Sequence, residues 1–125
     1  MSEARRRLGM DAEELAAKRL EGAGWQLVER NARTRYGEID LIATERDRLV
    51  FIEVKAGRAG SLAGPERPAL AVDRRKQLRI RRLATAWLAE GPPPPRHREL
   101  RFDVIGITYD RAGAVVDYEH IRGAF

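Results

Sequence analysis

The chain has 125 residues, a formal charge of +5 with 24 basic against 19 acidic side chains, 43% hydrophobic content and no cysteine. That length suits one domain, residues 1–125, around a single core. The absence of cysteine excludes disulfides, zinc–thiolate sites and thiol catalysis; any metal falls to carboxylates, the two histidines, carbonyls and water, which favours Mg²⁺ or Mn²⁺.

Residues 1–9 are polar and arginine-rich, with Arg5, Arg6 and Arg7 in a row, and read as a flexible basic arm. Asp11, Glu13 and Glu14 follow at once, so the apolar run of a signal peptide is missing and the expected location is cytoplasmic. Residues 10–22 read as a helix. Leu15, Ala16, Arg19 and Leu20 keep a helical period, Glu13 and Glu14 suit the positive end of the dipole, and Gly22 and Gly24 end the segment. Trp25 to Arg30 alternates as a first strand. Gly37 to Ala43 and Leu49 to Lys55 are the second and third, rich in Ile, Val, Leu and Phe and separated by the charged turn Glu45 to Arg48. Val50, Phe51, Ile52 and Val54 place apolar groups on both faces, the pattern of a central strand covered on both sides.

Residues 56–72 carry Gly57, Gly60, Gly64, Pro65 and Pro68 and read as a long loop or lid. Residues 73–89 read as the second helix, with Asp73 as N-cap and Leu78, Leu83, Ala84, Trp87 and Leu88 as the core face. Its first half is basic: Arg74, Arg75, Lys76, Arg79, Arg81 and Arg82 are six cations within nine residues with no acid between them. Such a stretch is either a solvated helix face or a phosphate-backbone contact. Gly91 and Pro92 to Pro95 form a stiff connector, and Arg101–Thr108 and Ala114–His120 read as the last two strands. The order helix, three strands, helix, two strands points to an α/β fold, a mixed sheet flanked by helices. No apolar stretch is long enough to span a membrane, so no membrane association is expected. A basic chain of this kind has nucleic acid as its default partner.

The chemistry concentrates on the second and third strands. Side chains alternate along a strand, so Glu38 and Asp40 share one face, as do Glu53 and Lys55 on the next. A carboxylate in a buried-looking strand is costly unless it is paired or binds a cation. A central strand ending in Glu-x-Lys beside a strand carrying Asp is an arrangement used by magnesium-dependent phosphodiesterases. Asp40 and Glu53 are therefore the first candidate metal ligands, with Glu38 as a further one. Lys55 is the candidate that orients or deprotonates the attacking water and offsets developing charge. Of the 24 basic residues only Lys18, Lys55 and Lys76 are lysine, and at Lys55 a compact charge with a tunable pKa is not replaceable by a guanidinium fork. Arg74, Arg75, Lys76, Gln77 and Arg79 are candidates for the nucleic-acid backbone. Asp103 reads as structural; His97 and His120 have no metal-ligand spacing to each other and read as incidental.

Several blocks in order carry a family resemblance: Ala12 to Ala16, Glu29-Arg30-Asn31, Gly37 to Ala43, Phe51 to Lys55, Lys76-Gln77 and Arg101 to Val104. Together they resemble the YraN-like family of predicted bacterial nucleases. The resemblance implies a restriction-endonuclease-like fold and an Mg²⁺-dependent endodeoxyribonuclease activity, on branched or otherwise processed DNA. It also implies that a first-helix glutamate, here Glu13, reaches the metal and that the Val54 carbonyl adds an oxygen. The family usually places an arginine two residues after the lysine; this chain has Gly57 there and Arg58 one position later. The competing expectation is a non-catalytic nucleic-acid-binding protein, or a DNA-processing adaptor, that retains the fold. An enzyme cutting both strands gains from a two-fold homodimer, which no residue here specifies.

Overall fold

The computed structural model describes residues 2–60 and 67–125. In chain order it contains α1 (Glu3–Gly22), β1 (Gln26–Thr34), β2 (Gly37–Glu45), β3 (Arg48–Arg58), a 3₁₀ turn (Pro68–Ala71), α2 (Arg74–Glu90), β4 (Glu99–Tyr109) and β5 (Val115–Ile121). The strands form one mixed sheet in the order β1-β2-β3-β4-β5. Only β3 and β4 are parallel, and the chain between them carries α2, the crossover that a parallel pair requires. This is the α/β arrangement expected from the sequence, and its element order is consistent with a restriction-endonuclease-like sheet.

Helix α1 begins seven residues earlier than its apolar period indicates, so the segment expected to be a flexible arm is helical from Glu3. Local chemistry explains this. The Ser2 hydroxyl caps the helix by accepting from the Arg5 amide at 3.1 Å, and Glu3 pairs with Arg6 at 2.8 Å one turn on. Arg, Leu and Ala are good helix formers, so no apolar face is needed to extend the helix.

The two helices cover opposite faces of the sheet. Ala12, Ala16, Ala17 and Leu20 of α1 pack with Trp25, Leu41, Val50, Ile52, Ile105 and Ile107. On the other face Ile80, Leu83, Ala84 and Trp87 of α2 pack with Leu49, Phe51, Phe102 and Val104. Phe51 meets the edge of Trp87 at 5.9 Å and stacks on Phe102 at 5.5 Å. Strand β3 lies in the middle of both layers, which is why Leu49 to Ile52 are fully buried without alternation. Leu78 departs from expectation: it is exposed, and Ile80 takes the core position, because the buried stripe runs 80, 83, 84, 87.

The proposed long loop is shorter than its glycines and prolines suggest. Strand β3 continues to Arg58 because its parallel ladder with β4 runs on to Arg58↔Tyr109. Pro68–Ala71 forms the 3₁₀ turn, and residues 61–66, where a lid would lie, are outside the described residues. Among the described residues no helix is long and apolar enough to cross a membrane.

The α1 face of β4 carries a polar cluster. Asp103 is wholly buried and accepts from Arg101 Nε and Nη2 at 2.8 and 2.9 Å, from His120 Nε2 at 2.8 Å and from the Gly123 amide at 3.0 Å. Burial alone would raise the Asp103 pKa, but the hydrogen bonds from His120 and Arg101 outweigh it and hold the carboxyl below its ordinary range. Asp103 is thus structural, as expected. His120 is not incidental; it ties β5 to β4.

Candidate active site

The main-chain ladder between β2 and β3 ends at Leu41↔Ile52. Beyond it the Asp40 carboxylate accepts the Val54 amide through Oδ2 at 2.8 Å, so a side chain takes the place of a ladder partner. Asp40 is thereby pinned beside Glu53. Lys55 Nζ lies 3.2 Å from Glu53 Oε1, and both side chains are mostly buried, 29% and 19% exposed. The strand alternation that puts Phe51 into the α2 core puts Glu53 and Lys55 on the same face, past the end of that core.

Glu38, Asp40, Glu53 and Lys55 form a wall common to two openings. A groove of about 1120 Å³ runs towards the N-terminal half of α1 and is also lined by Arg5, Glu13, Asn31 and Arg58. A cavity of about 350 Å³ opens towards α2 and is closed by Lys76, Arg79, Ile80 and Leu83. Carboxylates lie at the centre and cations on both rims.

The centre is over-supplied with negative charge. Burial and the neighbouring Glu53 push the Asp40 carboxyl up to about 8, against the opposing Val54 hydrogen bond. Glu13 is raised for the same reasons, burial first and then the charge of Glu53. Two acids, Asp40 and Glu13, whose ionised forms are penalised by burial and by the charge of Glu53 are suited to a nearby divalent cation. The donors are hard oxygens, as Mg²⁺ and Mn²⁺ prefer, and Mg²⁺ takes one or two carboxylates while keeping several waters. Among the described residues no three Asp, Glu or His side chains are grouped as a complete ligand set; the candidate donors are the Asp40–Glu53 pair, with Glu13 and Glu38 lining the same groove.

The model of the uncharacterised protein family UPF0102 matches residues 12–107, from the middle of α1 to β4. The chain belongs to this family. It is 47% identical over 120 residues to the UPF0102 protein of Parafrankia sp. (strain EAN1pec), covering 95% of this chain and 96% of that one. It is 48% identical to that of Rhodococcus opacus, covering 94% and 95%, and 40% identical to that of Moorella thermoacetica over the whole of both chains. The resemblance to YraN-like proteins is thereby borne out as family membership. Among solved structures, the chain is similar to an FdxN element excision controlling factor protein from Anabaena variabilis. That likeness has a TM-score of 0.44 and 13% identity and covers 86% of this chain and 96% of that one.

Within the UPF0102 match lie Asp40, Glu53, Lys55, Glu13 and Glu38, and the fold brings all five to one groove wall or rim. Glu38 also accepts from Arg33 at 3.1 Å, and Arg35 pairs with Glu90 at 3.2 Å. Of the basic candidates, Lys76 and Arg79 face the carboxylates, whereas Arg74 and Arg75 lie on the outer surface of α2. Gln77 turns its amide back to the Val72 carbonyl at 3.3 Å and lines neither opening. Gly57 has a packing reason: a Cβ there would stand 2.9 Å from Pro68 Cγ, so no arginine fits without moving the 3₁₀ turn. Arg58 lines the groove instead and donates to the Asp110 carbonyl at 3.4 Å.

Two groove residues were missed by reading the sequence. Arg5 was assigned to a flexible arm, and only the extended helix carries it to the rim. Asn31 lies opposite the Asp40 region with φ at +50°, a conformation Asn tolerates better than most residues. The strand read from the sequence ended at Arg30, one residue short of Asn31, and its place in the Glu29-Arg30-Asn31 block was the available signal.

Proposed function

We propose that this protein is a metal-dependent nuclease that hydrolyses phosphodiester bonds in DNA. The observation that carries the reading is the convergence of Asp40, Glu53 and Lys55 on the wall shared by a groove lined by Arg5 and Arg58 and a cavity lined by Lys76 and Arg79.

Asp40 and Glu53 would hold Mg²⁺ or Mn²⁺, with Glu13 and Glu38 placed to join through water and the Val54 carbonyl adjacent. When bound, such an ion polarises the phosphoryl group and makes a water nucleophilic at neutral pH. Burial and Glu53 raise the pKa of the Asp40 carboxyl, and a cation held between the two would favour its ionised form. Lys55 is fixed by Glu53 so that its ammonium faces the reacting centre, where it orients the attacking water and offsets charge developing on the phosphoryl oxygens. The rim cations hold the flanking phosphates. Arg79→Ala should therefore lower the log–log salt slope of DNA binding by about 0.7–0.9, read by anisotropy across a salt series.

A second reading, a nucleic-acid-binding protein or adaptor that keeps the fold without cutting, is favoured by one observation: Lys55 already neutralises Glu53 internally. Thermal melting with Mg²⁺ or Mn²⁺ separates the two. A bound ion stabilises the native state by about 2.7 kcal/mol at a hundredfold excess over Kd, so the melting temperature should rise. The rise should be lost in a Glu53→Gln variant. A melting temperature indifferent to both ions, with DNA still bound, moves the protein to the second reading.

A further inference from the structure

We infer that the tip of the β1–β2 hairpin and the outer face of α2 bind an unpaired nucleic-acid strand, so that the substrate carries a single-stranded segment beside the cleavage site. This deepens the nuclease reading and rests on it for the word substrate; the binding surface itself does not.

Tyr36 stands at the hairpin tip, 44% exposed, with the guanidinium carbons of Arg35 and Arg82 each 4.9 Å from its ring centroid. The tip is braced: the Thr34 hydroxyl accepts from the Tyr36 amide at 3.1 Å and donates to the Gly37 carbonyl at 2.9 Å. Arg35 is steadied by Glu90. Next to Arg82 a shallow groove of about 620 Å³ is lined by Arg74, Arg75, Leu78, Arg79 and Arg82.

Three features identify the occupant. The surface is strongly cationic, and the acids at either end of α2 are already engaged, Asp73 by the Lys76 amide and Glu90 by Arg35. An aromatic ring and Leu78, itself 56% exposed, lie between the cations, and apolar faces among phosphate-binding groups suit splayed bases. A duplex presents its phosphates but only the edges of its bases, so it has no use for the ring. Finally, the surface is continuous with the site through Arg79, which lines both the outer groove and the carboxylate cavity. Its Nη2 lies over Gly37, where a Cβ would come within 2.9 Å of it.

The test is anisotropy of oligothymidylate, oligouridylate and a blunt duplex with wild-type protein and with Tyr36→Ala, Tyr36→Phe and Arg82→Ala, in chelator so that nothing is cut. Loss of one stacking platform should weaken single-strand binding by about 5- to 100-fold. Tyr36→Ala should therefore lose that factor, Tyr36→Phe should keep most of the affinity, and duplex binding should hardly change. The two oligonucleotides separate DNA from RNA. Thermal melting of Tyr36→Ala should match wild type, because the side chain lies outside the core. Equal losses on duplex and single strand, no loss at all, or competition by polyglutamate as strong as by oligothymidylate would each overturn the inference. If wild type cuts blunt duplex while Tyr36→Ala binds single strands normally, this inference falls and the nuclease reading stands. If Tyr36→Ala loses single-strand binding yet wild type cuts nothing with any divalent ion, the surface assignment stands and the nuclease reading falls.

Discussion

Lys55→Ala should abolish most DNA cleavage while leaving divalent-ion binding intact or slightly stronger. The two halves of this expectation have one cause. Lys55 stands 3.2 Å from Glu53 and neutralises it, so its removal leaves more negative charge for an incoming cation and no ammonium for the transition state. The cleavage rate should fall on the order of 10²-fold or more, the scale for a positioned proton-transfer or charge-stabilising group. Ion binding, followed by melting temperature, should not weaken. Lys55→Arg keeps the ion pair but carries a larger group that cannot exchange a proton, so it should not restore the rate. A Lys55→Ala protein that cuts nearly as fast as wild type would reduce Lys55 to the counter-ion of Glu53.

The fold was largely legible because its strongest signals are local. Phe51-Ile52-Glu53-Val54-Lys55 has the apolar density of a doubly covered strand, and Asp73 caps α2 as its position suggested, accepting the Lys76 amide at 2.9 Å. The misreadings came from effects that pattern does not encode. The helicity of residues 3–9 rests on a serine cap and an ion pair, which an apolar-period criterion does not register. The extent of β3 beyond Lys55 is set by its parallel partner, contributed from about fifty residues away, as in Arg58↔Tyr109. Leu78 is a different case, a misread period: it precedes Leu83 and Trp87 by five and nine positions, off the helical repeat, whereas Ile80 precedes Leu83, Ala84 and Trp87 by three, four and seven and is the one buried. At the site, the shared face of Glu53 and Lys55 follows from strand alternation alone. That Asp40 caps the Val54 amide, and that α1 delivers Arg5 and Glu13 to the same groove, needed the assembled sheet.

Asp40→Asn should make the protein more stable at neutral pH, and the gain should disappear in acid. The sign follows from the raised pKa. In the unfolded chain Asp40 ionises near 3.8, whereas in the native state burial and Glu53 hold the proton until about 8. Between those values the native state binds the extra proton, so each rise in pH lowers the stability of the wild-type fold. Below about pH 4 both states are protonated and the penalty vanishes; above about pH 8 the native group also ionises and the penalty stops growing. Asparagine carries no such penalty, and its side-chain oxygen can still accept the Val54 amide held by Asp40 at 2.8 Å. The linkage relation puts the gain at neutral pH at about 2–4 kcal/mol, an upper range because Asp40 is partly open to the groove. Denaturant unfolding of both proteins across this pH range measures it as the difference between the two curves. The same substitution removes a charged oxygen from the proposed cation site, so the variant should lose the melting-temperature response to Mg²⁺ and Mn²⁺. A variant more stable in the bare protein and unresponsive to the ion would mark Asp40 as a group kept at a cost to the fold because the site uses its charge. A pH-independent stability difference, or an unchanged metal response, would remove Asp40 from the centre of the site.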